Sequence, residues 1–187
     1  MKKLLALMLC LLLLTALPAL AENAPEPLLL ADYVAAMNAM AEKGGVTLTW
    51  ISEPFNGLED YTLCVCETLQ GSPALVCYGD RVAMIGSAVT FDPAQAPLGP
   101  ESYLGQYLVA MTPILTSRGM TEDEAVEALL PLTNEENLLE RVAQTSLDGT
   151  PCVFNVVGYQ AAILRYDGDE TPQLCLYIYA APELLPR

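Results

Sequence analysis

Residues 61–91 read YTLCVCETLQGSPALVCYGDRVAMIGSAVTF. Apolar and β-branched side chains dominate this stretch, and its interruptions are short and rich in turn formers. Gln70-Gly71-Ser72-Pro73 breaks it once and Gly79-Asp80 breaks it again. Gly-Asp between two apolar runs is a two-residue hairpin signal. Tyr61–Leu69, Ala74–Tyr78 and Arg81–Phe91 are therefore expected as three strands joined by hairpins. Hairpins join antiparallel neighbours, whereas parallel strands need a long crossover. The sheet is expected to be antiparallel.

Upstream, Val46–Ser52 carries Thr, Val, Ile and Trp50 and predicts another strand, with a turn over Pro54–Gly57. Before it, Tyr33, Val34, Met37, Met40 and Ala41 recur at helical spacing behind Asp32, a good N-cap, and Lys43-Gly44-Gly45 supplies a stop. A helix is expected over about 32–43. Glu22–Pro27 is expected to be a mobile leader.

Downstream, Asp92–Pro100 contains three prolines and one glycine and is expected as a loop. Tyr103, Leu104, Tyr107, Leu108, Met111 and Leu115 form a helical stripe that Pro113 should kink or split. Thr121-Glu122-Asp123-Glu124 is a capping box and opens a second helix; Thr133-Asn134-Glu135-Glu136 opens a third. The end returns to period two. Asp148-Gly149 is a hairpin signal between 144–147 and 150–158, strands are expected at 160–166 and 173–180, and a polar turn at 167–172. The fold class is α+β: antiparallel meanders with helices packed on one face, in two helix-then-meander halves at about 30–96 and 97–181.

The first 21 residues have a different character. Lys2-Lys3 precede an apolar run from Leu4 to Leu17, Pro18 breaks it, and Ala19-Leu20-Ala21 offers small residues for cleavage. That is the order of a secretory signal, and the run is short of the ~20 residues a spanning helix needs. The expectation is a secreted or periplasmic protein cleaved after Ala21, with residues 22–187 as a single exported domain. Removing 21 of 187 residues leaves 166, long enough for a real core. Lys2 and Lys3 leave with the signal, so 8 Lys and Arg become 6 against 23 Asp and Glu, a net charge of −17. Such a surface repels phosphate backbones and anionic lipid, so neither nucleic acid nor membrane is an expected partner. A cation or basic partner is attracted.

Histidine is absent from the chain. This excludes Ser-His-Asp and Cys-His catalysis and the usual histidine zinc sites. Lys43 is the only lysine after the signal, which leaves little for a Ser-Lys dyad. Carboxylates are plentiful but sit mostly in turns and first helical turns, where capping accounts for them. Asp167, Asp169 and Glu170 around Gly168 lack the ligand spacing of a calcium loop. Glu67 is expected at an edge or facing solvent. Tyr177 and Tyr179 share a strand face that either lines a ligand surface or packs under a helix.

Five cysteines follow the signal: Cys64, Cys66, Cys77, Cys152 and Cys175. An odd number forbids complete internal pairing. Cys64 and Cys66, two apart on a strand, share a face. A hairpin closing on Gly71-Ser72 places Cys66 opposite Cys77, within disulfide reach. Cys64, Cys66 and Cys77 are then a thiol cluster with three readings: packed reduced thiols, a Cys66–Cys77 disulfide, or a soft-metal or redox site. No bond is expected between Cys152 and Cys175. No catalytic residue, cofactor or metal ligand is assigned. The expectation is an exported, acidic, non-catalytic domain that binds or modulates an unidentified protein or small molecule. The alternatives are a carboxylate-dependent extracytoplasmic hydrolase and a thiol-based metal or redox protein.

Overall fold

The structure, a computed structural model, describes residues 26–68, 73–90, 103–130, 151–167 and 172–186. Within them three helices, α1 (Leu30–Lys43), α2 (Tyr103–Thr116) and α3 (Glu122–Leu129), lie on one face of a seven-stranded antiparallel sheet. The strands are β1 (Trp50–Phe55), β2 (Leu58–Cys66), β3 (Ala74–Tyr78), β4 (Arg81–Thr90), β5 (Cys152–Val156), β6 (Tyr159–Asp167) and β7 (Pro172–Tyr179). Their order in space is β1-β2-β3-β4-β7-β6-β5. Each meander is thus laid down by hairpins, and the two join through β4 and β7, from Met84 opposite Tyr179 to Thr90 opposite Gln173. The α+β class read from the sequence is the observed one.

The helix-side core takes Tyr33 and Met37 from α1, Met111 and Ile114 from α2 and Leu129 from α3, packed on Leu75, Cys77, Ile85 and Ile178 of the sheet. The opposite face has its own apolar layer, with Val76, Met84, Leu164 and Tyr177 at its centre and Phe55 and Leu185 at one end. Both sides of the central strands are buried, so β3 and the start of β4 read as continuous apolar runs instead of alternating. Among the described residues, no helix is long and apolar enough to cross a membrane.

Local departures from expectation have local causes. Helix α1 begins at Leu30, two residues before Asp32, because the Asp80 carbonyl in the β3–β4 turn accepts the Leu30 N–H at 2.9 Å. Asp32 therefore stands in the first turn, where its carboxylate favours the helix dipole without capping. The leader is held from Glu26 onward. Leu28 is buried, its carbonyl accepts the Val82 N–H at 2.8 Å, and Arg118 donates to the Glu26 carbonyl.

Helix α2 runs through Pro113 without splitting, with Met111, Ile114 and Leu115 buried around it. Packing on both sides of the ring outweighs a lost bond and clash of about 3 kcal/mol. The Thr121 capping box forms as read: the Glu124 N–H donates to Thr121 Oγ1 (3.3 Å) and the Thr121 N–H to Glu124 Oε2 (2.8 Å). The Thr121 N–H and, at 2.8 Å, the Thr121 hydroxyl both donate to the Glu124 carboxylate and hold it below its ordinary pKa. Lys43 at the end of α1 pairs with Glu122 at the start of α3.

Strand β1 lies later than expected, and Pro54 belongs to it; the turn is Asn56-Gly57, both at positive φ. Val157-Gly158 makes the same kind of turn between β5 and β6. The Asp92–Pro100 loop, the Thr133 helix, the Asp148-Gly149 hairpin and most of the 167–172 turn lie outside the described residues.

Candidate functional site

Alternation places Cys64 and Cys66 on one face of β2, the helix side, and Cys77 faces the same way. The opposition of Cys66 and Cys77 is not found. In the β2–β3 ladder Cys77 lies across from Thr62 and Cys64 across from Leu75, a register four residues from the one expected. Cys66 instead faces Trp50 of β1. Pairing of β2 with β3 ends at Val65, opposite Ala74, while pairing with β1 continues past Cys66. There the Glu67 N–H reaches the Thr49 carbonyl (2.9 Å) and Thr68 Oγ1 accepts the Thr49 N–H (2.8 Å). A tight turn at Gly71-Ser72 would need pairing to continue past Val65.

None of Cys64, Cys66, Cys77, Cys152 and Cys175 is in a disulfide; all are buried except Cys152, which is half-buried. Cys64 is diagonal to Cys77 and raises its pKa together with burial, the larger effect; the Cys77 thiol is pushed up to about 12. Cys66 sits near Tyr33, whose hydroxyl donates to the Ala110 carbonyl at 3.1 Å. Burial raises that hydroxyl above its ordinary range, and Cys66 adds to the effect. Buried sulfur held as the thiol is a packing group, since the thiolate is the nucleophile and the ligand. Among the described residues, no three His, Cys, Asp or Glu side chains converge as a metal-holding set. Cys152 and Cys175 lie on opposite faces, across from Ile163 and Leu164.

Three further sequence features find their places. Glu67 is exposed beyond the end of β2. Tyr177 and Tyr179 are buried in the second face, away from the helices. Tyr159 is buried in the helix-side core, with Arg118 5.1 Å over its ring and its hydroxyl without a hydrogen-bond partner among the described residues. Burial raises the Tyr159 hydroxyl pKa, and Arg118 opposes it.

The accessible surface with chemical character is elsewhere. The second face is closed at its centre but opens toward β1. Ile51 (42% exposed) and Glu53 stand on β1, Val65 and Tyr61 are half-buried on β2, and Tyr78 (40% exposed) stands on β3. The Tyr61 and Tyr78 rings meet at 5.1 Å, and the Tyr61 hydroxyl donates to the Leu184 carbonyl at 2.8 Å. Burial raises the Tyr61 pKa, with Tyr78 and Asp60 adding to it. No Lys or Arg occurs between Lys43 and Arg81, while Glu53, Glu59, Asp60, Glu67 and Asp80 do. This open end is apolar and aromatic at its middle and anionic at its rim. The sequence carried its charge pattern in that cation-free stretch. Its exposure was hidden, because Cys64 and Cys66 are as apolar as Leu63 and Val65 and either face could be the open one. No family model, curated protein or solved structure gives a significant match to this chain.

Proposed function

We propose that this chain is an exported, acidic, non-catalytic domain that binds or modulates another molecule outside the cytoplasm, with residues 1–21 removed as its signal. The observation that carries the reading is the open end of the second face. Ile51 and Tyr78 remain exposed beside a sheet layer that is otherwise buried at Val76, Met84 and Tyr177. An apolar and aromatic surface with a polar rim is the composition of a recognition site, and tyrosine gives large contact area at small entropic cost.

The test is an NMR titration of residues 22–187 with three soluble probes: basic peptides, acidic peptides and neutral polysaccharide fragments. At least one class should perturb Ile51, Val65, Tyr61 and Tyr78 and be recovered unchanged. Silence at those residues with every class, or turnover of a probe, overturns the reading.

A further inference from the structure

Strand β1 ends the sheet on its side, and Ile51, Ser52, Glu53 and Pro54 are all exposed. The direction of its backbone groups follows from one bond. Thr49 and Glu67 continue the β1–β2 register, and the Glu67 N–H donates to the Thr49 carbonyl at 2.9 Å. Bonded and non-bonded pairs alternate in an antiparallel ladder. Thr49, Ile51 and Glu53 therefore turn their N–H and C=O groups toward β2, and Trp50 and Ser52 turn theirs outward. Pro54 falls in the outward set, so its missing N–H removes nothing from the ladder. The edge offers two donors and two acceptors in a row, and Pro54 ends the row.

Side chains beside this edge decide what fits it. Trp50 is fixed on the helix side by Nε1 donating to Asn38 Oδ1 at 3.0 Å. On the other side, Glu53 and Ile51 stand at the rim, with the Tyr61–Tyr78 pair behind them. Five carboxylates and no cation lie between residues 44 and 80. A second copy is a poor occupant, because pairing two β1 edges brings two strongly acidic domains together. A cationic strand is complementary: its Lys or Arg side chains, alternating onto the second face, meet the exposed Glu53 carboxylate of β1 in a margin without cations.

Building on the binding reading above, we propose that the partner is a basic protein whose extended segment adds to β1 as an eighth strand. Its backbone bonds to Trp50 and Ser52, and its alternate basic side chains on the second face lie beside Glu53 of β1. Main-chain bonds supply the attachment in this mode, and alternate side chains supply the choice of partner.

The test uses residues 22–187, a blocked Lys-Val-Lys-Val-Lys-Val peptide and its Glu-for-Lys counterpart. The Lys peptide should shift the Trp50 and Ser52 amides and slow their hydrogen exchange, and should bind at least tenfold tighter than the Glu peptide. Methylating alternate peptide nitrogens gives two patterns, one of which should abolish binding while the other leaves it. Ser52→Pro should weaken binding at least tenfold with the rest of the spectrum unchanged; the N-methyl pair decides the matter if that variant does not fold. Equal binding of Lys and Glu peptides, tolerance of both N-methyl patterns, or unprotected Trp50 and Ser52 amides overturns strand addition. If these peptides fail while polysaccharide still perturbs Ile51 and Tyr78, strand addition falls and the binding reading stands. If every probe fails, both fall. Sedimentation showing a dimer with protected Trp50 and Ser52 amides replaces the basic partner with a second copy.

Discussion

Cys77 lies directly across the β2–β3 ladder from Thr62, and so is four residues out of line with Cys66. Four strand residues at ~3.3 Å each and one strand spacing of ~5 Å separate the two sulfur-bearing residues by about 14 Å, twice the ~7 Å limit for bridging. Mild oxidation of residues 22–187 should yield no Cys66–Cys77 bond. Maleimide labelling followed by peptide mass mapping should find half-exposed Cys152 modified first and Cys64, Cys66 and Cys77 modified only in urea. Early labelling of Cys77, or a recovered 66–77 cross-link, would contradict the register.

The same burial makes stability depend on alkaline pH. The Cys77 thiol rises from 9.0 to about 12, and the Tyr33 hydroxyl rises above 10.0. An unfolded chain releases these protons at lower pH than the folded one. The stabilisation is thus fully present below pH 9 and is lost as pH rises toward 12. Each group contributes a slope of about 1.4 kcal/mol per pH unit across its window. Urea midpoints should fall from pH 9 upward, and Cys77→Val should flatten the first part of that fall. A midpoint constant to pH 11 in the parent protein would refute the assignment.

Val157 sits at φ 45° in the turn before Gly158, a conformation that branched side chains resist. Asn is the favoured residue at this turn position, and a left-handed non-glycine residue costs roughly 1–2 kcal/mol. Val157 is exposed, so little packing is lost by replacing it. Val157→Asn should stabilise the protein by about 1 kcal/mol in urea unfolding. A loss of stability would mean that the valine side chain is needed where it stands.

The leader is the third structural handle. Leu28 is 3% exposed and its carbonyl bonds to Val82. Leu28→Ala should cost about 2–3 kcal/mol, as for other buried leucines. A chain beginning at Leu30 should lose more, because the bridge between Leu29 and Arg81 goes too. Unfolding curves of the two variants decide this; a Leu28→Ala protein as stable as its parent would show the Leu28 side chain to be dispensable.

Legibility in the sequence followed the kind of signal. Ala74–Tyr78 and the Gly79-Asp80 turn were readable to the residue, because turn chemistry bounded both ends of the strand. The Thr121 box was readable because its two bonds are local. Pro54 misled: a proline in a strand reads as a break unless the strand is known to be an edge with its nitrogen facing out. The cysteine register misled because it was inferred from a turn, while the observed β2–β3 pairing puts Cys77 across from Thr62 and ends at Val65 opposite Ala74. Which sheet face stays open depends on where the helices land, and alternation of apolar with apolar residues along β2 carries no information about that.

The join between β4 and β7 also orders events in time. A chain emerging from its N-terminus completes α1 and the β1–β4 meander first, from pairings between near neighbours in sequence. Strand β4 then waits with its outer side unfilled until Pro172–Tyr179, the last strand among the described residues, arrives. Through most of synthesis this apolar strand, destined for the middle of the sheet, is an exposed margin open to wrong neighbours. Truncations that remove Pro172–Tyr179 should therefore yield aggregates in place of a smaller soluble protein.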